Sequence, residues 1–199
     1  MSNTKVENIK NLRDKTGAGM MDAKSALERA KGDERKAIEI LRVKGQIRAN
    51  KKSQRETKNG LIETYLHSGK IGVIVEVNCE TDFVERTDEF KELAHDLAMH
   101  IAAASPEYIT RAEVPKSEVD KEKKIIKKEL ALLGKPKEQL DKIIEGKMTK
   151  YYREVCLMDQ PFVKDPGVTI EKLVNQKIAK LGENIVISRY ARFELGETN

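Results

Sequence analysis

The stretch that decides the fold runs from Leu61 to Val84 and reads LIETYLHSGKIGVIVEVNCETDFV. Its second half sets Ile71, Val73, Val75 and Val77 on one face and Gly72, Ile74 and Glu76 on the other, the period of two that a strand with one buried face requires. Leu61, Ile62, Tyr65 and Leu66 come before it, with His67-Ser68-Gly69-Lys70 between. The spacing predicts a β-hairpin with a glycine-containing turn, its second strand the better formed. A hairpin alone is marginal in water, so a third strand is needed. It is expected near the other end of the chain, where ENIVISRYARFELGE (183–197) is again rich in β-branched and aromatic residues.

Between these strands the patterns are helical. Phe90, Leu93, Ala94, Leu97, Ala98 and Ile101 mark a helix that Ser105-Pro106 ends, because the residue before proline disfavours the helical region. From 117 to 154 the spacing predicts two amphipathic helices in an antiparallel, projecting hairpin. Ile126, Leu130 and Leu133 lie on one arm, Leu140, Ile143, Ile144 and Met148 on the other, and Gly134-Lys135-Pro136-Lys137 is the turn. A last helix over 169–181 carries Ile170, Leu173, Val174 and Ile178.

Upstream, residues 1–47 read as a module of three short helices. Val6, Ile9 and Leu12 form the first stripe and stop at Thr16-Gly17-Ala18-Gly19. Ala23, Ala26, Leu27 and Ala30 form the second, and Ala37, Ile38 and Leu41 the third, opened by Asp33 and closed by Gly45. A unit this small buries little surface alone and is expected to dock on something larger. Residues 48–58, with Lys51, Lys52, Arg55 and Lys58, read as a basic linker to an α+β core over 59–199.

The chain has 199 residues, with Lys plus Arg 38 against Asp plus Glu 33, a formal charge of +5 and 5% aromatics. No run approaches the roughly 18 apolar residues of a membrane span, and MSNTKVENIKNLRD lacks the apolar core of a signal peptide, so a cytoplasmic protein is expected. Cys79 and Cys156 have no Cys or His at ligand spacing, and each reads as a reduced thiol, Cys79 as a small buried residue at a strand end. His67, His95 and His100 are the three histidines, and none sits in a nucleophile, zinc or phosphate-loop motif. An enzyme has no candidate constellation here. The basic balance suits phosphates, but no aromatic interleaves the linker cluster to stack on bases.

The most informative residues are Glu80-Thr81-Asp82-Phe83-Val84-Glu85, between the best strand and the helix from Asp88. Two readings stand on chemistry alone. The acid caps the next turn while the ring packs inward, or Phe83 is an exposed wedge and Asp82 carries an acceptor into a partner's crevice.

The blocks LRDKTGAGMMDAKSALERAKGDERKAIEILRVKG (12–45) and VEVNCETDFV (75–84) resemble elongation factor Ts, the guanine-nucleotide exchange factor of bacterial elongation factor Tu. Similarity continues through MHIAAASPEYI, GKPKEQLDKIIEGKM, DQPFVKDPGVTIEKLV and RFELGE, nearly the whole chain in the right order. The resemblance implies an α+β core, a ubiquitin-associated-like N-terminal module, and no chemical step, cofactor or metal of the chain's own. It implies that Asp82 and Phe83, flanked by Thr81 and Val84, intrude near the magnesium ion of the partner's nucleotide. Further contacts carry over to His67, to Leu181 and Gly182, and, on the module, to Leu12, Arg13, Met20 and Met21. One of the two adjacent methionines is expected to be exposed. The chain carries one core module where the longer family form has two, which implies a homodimer binding two partner molecules, GDP-bound and then nucleotide-free. A ribosome- or RNA-associated protein is the second reading, without a specific nucleic acid or a membrane as partner in the first.

Overall fold

Helical and strand periodicities are realised in the order the sequence sets them, and the computed structural model describes residues 2–132 and 137–197. The first helices are α1 (Ser2–Thr16), α2 (Met20–Arg29) and α3 (Glu34–Lys52), followed by the hairpin strands β1 (Asn59–His67) and β2 (Ile71–Cys79). Then come α4 (Asp82–Glu85), α5 (Asp88–Ala104), α6 (Lys116–Leu132) and α7 (Lys137–Val155). The chain continues with β3 (Pro161–Phe162), β4 (Asp165–Thr169), α8 (Ile170–Leu181) and β5 (Ile185–Glu194). An antiparallel sheet in the order β1-β2-β5 and a small β3-β4 pair make the class α+β. Among the described residues no helix is long and apolar enough to cross a membrane. Two compact units divide the chain, one from Met1–Glu63, Val75–Asp96 and Lys172–Tyr190, the other from Thr64–Ile74, Leu97–Glu171 and Ala191–Asn199.

In the first unit, Leu12, Ala23, Ala26, Leu27, Ala30 and Ala37 form a small core, with Ile9, Ile38, Ile40 and Leu41 against it. Small side chains let three short helices approach closely, as expected, but Val6 faces solvent and not this core. The Asp33 carboxylate accepts the Lys36 N–H at 3.1 Å and so caps α3. The expected stop at Gly45 is corrected, because α3 continues to Lys52 and buries Ala49. Glycine inside a helix costs only about 1 kcal/mol relative to alanine. Here its lack of a side chain lets α3 lie on α8, since a Cβ at Gly45 would be 3.5 Å from the Cβ of Ala179. The same unit buries Val75, Val77 and Cys79 of β2, Phe90, Leu93 and Ala94 of α5, Val174 and Ile178 of α8, and Ile185 and Ile187 of β5. Gly60 is obligatory: at φ +149° its added Cβ would fall 2.2 Å from the Val77 carbonyl oxygen.

In the second unit, α6 and α7 pack through Ile126, Leu130 and Met148, flanked by Leu140, Ile143, Ile144, Tyr151 and Tyr152. These are the two expected amphipathic helices; of the expected turn, Gly134-Lys135-Pro136 lie outside the described residues, as does Leu133, and Lys137 opens α7. A second cluster joins Val114, Val155 and Cys156 with Tyr108 and Val119. His100 is fully buried, within 3.0 Å of Gln160 Oε1 through Nε2 and accepting the Val163 N–H through Nδ1 at 3.4 Å. Burial holds its pKa below the ordinary value, against the Gln160 hydrogen bond.

Candidate functional site

β2 ends at the buried Cys79, and the chain then makes a single helical turn, α4, before α5 begins. Thr87 separates the two helices: its hydroxyl donates to the Val84 carbonyl at 2.7 Å and accepts the Phe90 N–H at 3.2 Å. Successive helical residues point about 100° apart. Val84 takes the inward direction and is buried, and Phe83 is left 78% exposed. The inward-packed ring is therefore excluded. Asp82 pairs with Arg86 at 2.8 Å, both side chains largely in solvent, a contact that contributes little.

What holds this exposed turn comes from the corner between α8 and β5. Glu183 accepts the Thr81 N–H on one oxygen at 3.0 Å and the Thr81 hydroxyl on the other at 2.6 Å. In the opposite sense Glu80 accepts the Asn184 N–H at 2.6 Å, and the Arg55 guanidinium lies 3.4 Å from it. Asn184 donates through its side chain to the Arg55 carbonyl at 2.9 Å. Thr81 stands at the N-cap position of α4 but makes no side-chain cap bond there, its hydroxyl being given to Glu183. Glu85, at the other end of α4, accepts the Gly60 N–H at 3.1 Å. Cys79 donates its thiol to the Thr81 carbonyl at 3.2 Å. Burial first, then the charges of Glu183 and Glu85, push that thiol up to about 11.

Of the residues expected in the site, Thr81 is held by Glu183, the residue after Gly182; Asp82 and Phe83 follow Thr81 in the exposed turn, and Leu181 is half-buried at the end of α8. Gly182 takes φ +82°, donates to the Ile178 carbonyl at 3.0 Å, and accepts a hydrogen bond from Lys52. The N-terminal module borders the same corner, since a Cβ at Gly17 would come 2.8 Å from Cδ of Lys180. Lys180 and Lys177 also engage Glu89 of α5. Burial works to raise the Glu89 carboxyl, but the two lysines outweigh it and hold it below its usual range.

On the module, Arg13 is exposed beside Asp14 at 3.1 Å. Met20 is 47% and Met21 73% exposed, so both methionines are presented where one was expected. Leu12 is corrected: it is fully buried in the module core and offers no side chain at the surface. His67 belongs to the second unit, exposed in the hairpin turn with its Nδ1 3.1 Å from the Tyr65 hydroxyl. His95 lies 3.3 Å from Glu63, its side chain half in solvent. Glu183 and Asn184 were not singled out by the sequence, and a carboxylate 102 residues from the threonine it holds leaves no local signal.

A family profile described as Elongation factor TS matches residues 3–197. The chain is 54% identical to elongation factor Ts of Carboxydothermus hydrogenoformans over 190 residues, covering 95% of this chain and 88% of the relative. It is 56% identical to elongation factor Ts of Fervidobacterium nodosum, covering 95% and 96%. To that of Thermodesulfovibrio yellowstonii it is 52% identical, covering 96% and 95%.

Proposed function

The chain belongs to the elongation factor Ts family, and from that premise we propose that it is the nucleotide exchange factor of elongation factor Tu, releasing GDP by inserting Phe83 and Asp82 beside the partner's nucleotide. The observation that carries this reading is the combination of a ring 78% exposed and a turn held at its start, where the Glu183 carboxylate accepts the Thr81 amide and the Glu80 carboxylate accepts the Asn184 amide. A large apolar ring held in solvent contributes little to its own fold. It is the kind of group that dominates a partner interface once buried. Asp82 brings a carboxylate next to that ring, able to compete for the groups that hold the partner's magnesium ion.

Linkage sets what the factor must do. Whatever affinity GDP loses when the factor binds, the factor loses when GDP binds. Each tenfold loss of GDP affinity in the ternary complex requires about 1.4 kcal/mol of preference for the nucleotide-empty partner. No bond in a substrate is made or broken by this chain, and a catalytic amount suffices because reloading of the partner returns the factor. Arg13, Met20 and Met21 supply a second contact from the module, where flexible thioethers adapt to a groove. Leu181 and Gly182, just before Glu183, supply a third.

The homodimer is part of the same proposal. Leu66, Ile74, Phe193 and Leu195 are exposed apolar residues in the second unit, a surface suited to a second copy. His67 would then act on the partner molecule bound to the other subunit. Light scattering of the chain at working concentration should give twice the chain mass, and a monomer would remove the dimer from the proposal.

The test of the exchange reading is release of fluorescent GDP from bacterial elongation factor Tu with substoichiometric amounts of this chain. Multiple turnovers per factor are expected. No acceleration would overturn the reading, and salt-sensitive RNA binding without exchange would favour an RNA-associated protein instead.

A further inference from the structure

Thr81 is the last residue before the exposed turn, and both of its hydrogen-bond donors point at one carboxylate, that of Glu183. The bonds are 3.0 Å from the amide and 2.6 Å from the hydroxyl, one to each oxygen. Charge-assisted bonds of this kind are stronger than neutral ones, and a paired set fixes orientation as well as distance. Glu80 returns the favour to the amide of Asn184 at 2.6 Å, so the two loops hold each other reciprocally. We infer that Glu183 is a positioning residue for nucleotide exchange: it sets the direction in which Phe83 and Asp82 leave the sheet, without itself touching the partner's nucleotide site.

The inference rests on the exchange reading and extends it in two ways. Gly182 has its place in the site through Glu183 as well as through direct contact. Its φ of +82° ends α8 and turns the next residue back toward Thr81, a conformation a side chain at that position would oppose. The second consequence concerns Thr81. An N-cap threonine ordinarily accepts an amide of its own helix. Here the hydroxyl is donated across the site instead, so what matters at position 81 is a donor, not the shape of the residue.

The experiment is GDP release from elongation factor Tu measured over a range of factor concentrations, so that the limiting rate and the half-saturating concentration separate. The variants are Glu183→Gln, Thr81→Val, Thr81→Ser and the double variant Glu183→Gln/Thr81→Val. Glu183→Gln and Thr81→Val should each lower the limiting rate about tenfold, leaving half-saturation within about twofold. Tenfold corresponds to about 1.4 kcal/mol, close to the lower end of the range for a hydrogen bond to a charged group. Thr81→Ser, which keeps the hydroxyl, should restore most of the rate. The double variant should be no slower than the slower single one, because both remove the same constraint. A Glu183→Gln factor with a wild-type limiting rate overturns the positioning role, as does additive loss in the double variant. So does a loss confined to half-saturation, or one that tracks a fall in melting temperature and is not restored by serine. If the wild-type chain itself fails to release GDP, the exchange reading falls and this role with it. If the wild type works and Phe83→Ala is slow but Glu183→Gln is normal, only the positioning role falls.

Discussion

Replacing Phe83 by alanine should separate stability from exchange. A phenylalanine side chain offers roughly 150–250 Å² of apolar surface, and in this chain 78% of the residue is already exposed. The fraction covered in the free chain is therefore roughly 40 Å², which at about 25 cal/mol per Å² is about 1 kcal/mol of folding stability at most. For a chain of this length that is a fall in melting temperature of about 4 °C or less. The remaining surface, roughly 150 Å², is available to a partner and would be worth up to about 4 kcal/mol if fully buried there. Central aromatic contacts commonly cost about 2 kcal/mol or more when truncated, which is roughly a thirtyfold effect. The expected result is a thirtyfold slower limiting release of GDP from elongation factor Tu by a variant that melts within a few degrees of wild type. Asp82→Ala should show the same pattern. An unchanged exchange rate in both variants would refute the insertion of this turn. A large loss of stability would show that the ring supports its own fold after all.

Gly60→Ala should destabilise the chain by about 2 kcal/mol or more, as a Cβ there meets the Val77 carbonyl oxygen at 2.2 Å; an unchanged melting temperature would contradict the close approach of β1 to β2. His100 gives a pH dependence: buried and held neutral, its folded pKa lies below its unfolded one. Its contribution is therefore fully present above the unfolded value near 6.5 and is lost as pH falls from there toward the lower folded value, with a slope of at most about 1.4 kcal/mol per pH unit. Denaturant titrations between pH 7 and 5 should show a shallower loss for His100→Asn than for wild type, and equal slopes would count against it. Cys79 and Cys156 are both fully buried, and burial is the main cause raising each to about 11. A thiol reagent at pH 8 should label neither in the folded chain and both after unfolding, whereas one fast-reacting thiol in the folded chain would contradict that burial.

The strands were readable because the physics that makes them is local. Val73, Val75 and Val77 alternate into the interior and are buried where the period of two puts them. The helix over Phe90–Ile101 was equally plain, since its apolar residues recur at helical spacing and all six are fully buried. Gly45 misled because a glycine signals a helix end only when the chain needs a left-handed residue there, and here α8 needed a missing side chain instead. β3 has two residues, too few for any period to register. At the site, Phe83 and Asp82 could be picked out by residue type and position, but their direction could not. That direction depends on Val84 filling the inward position and on Glu183 and Glu80 meeting backbone amides from across the sheet. Leu12 shows the converse: a residue carried over from a family surface that this fold uses as core.

An exchange factor of this kind prefers a nucleotide-empty partner, and calorimetric titration into elongation factor Tu with and without bound GDP measures that preference. Much tighter binding to the empty partner is expected, by the same factor by which saturating amounts of the chain weaken GDP. Equal affinity for the empty and the GDP-loaded partner would contradict it, because linkage then leaves the partner's affinity for GDP unchanged by the chain.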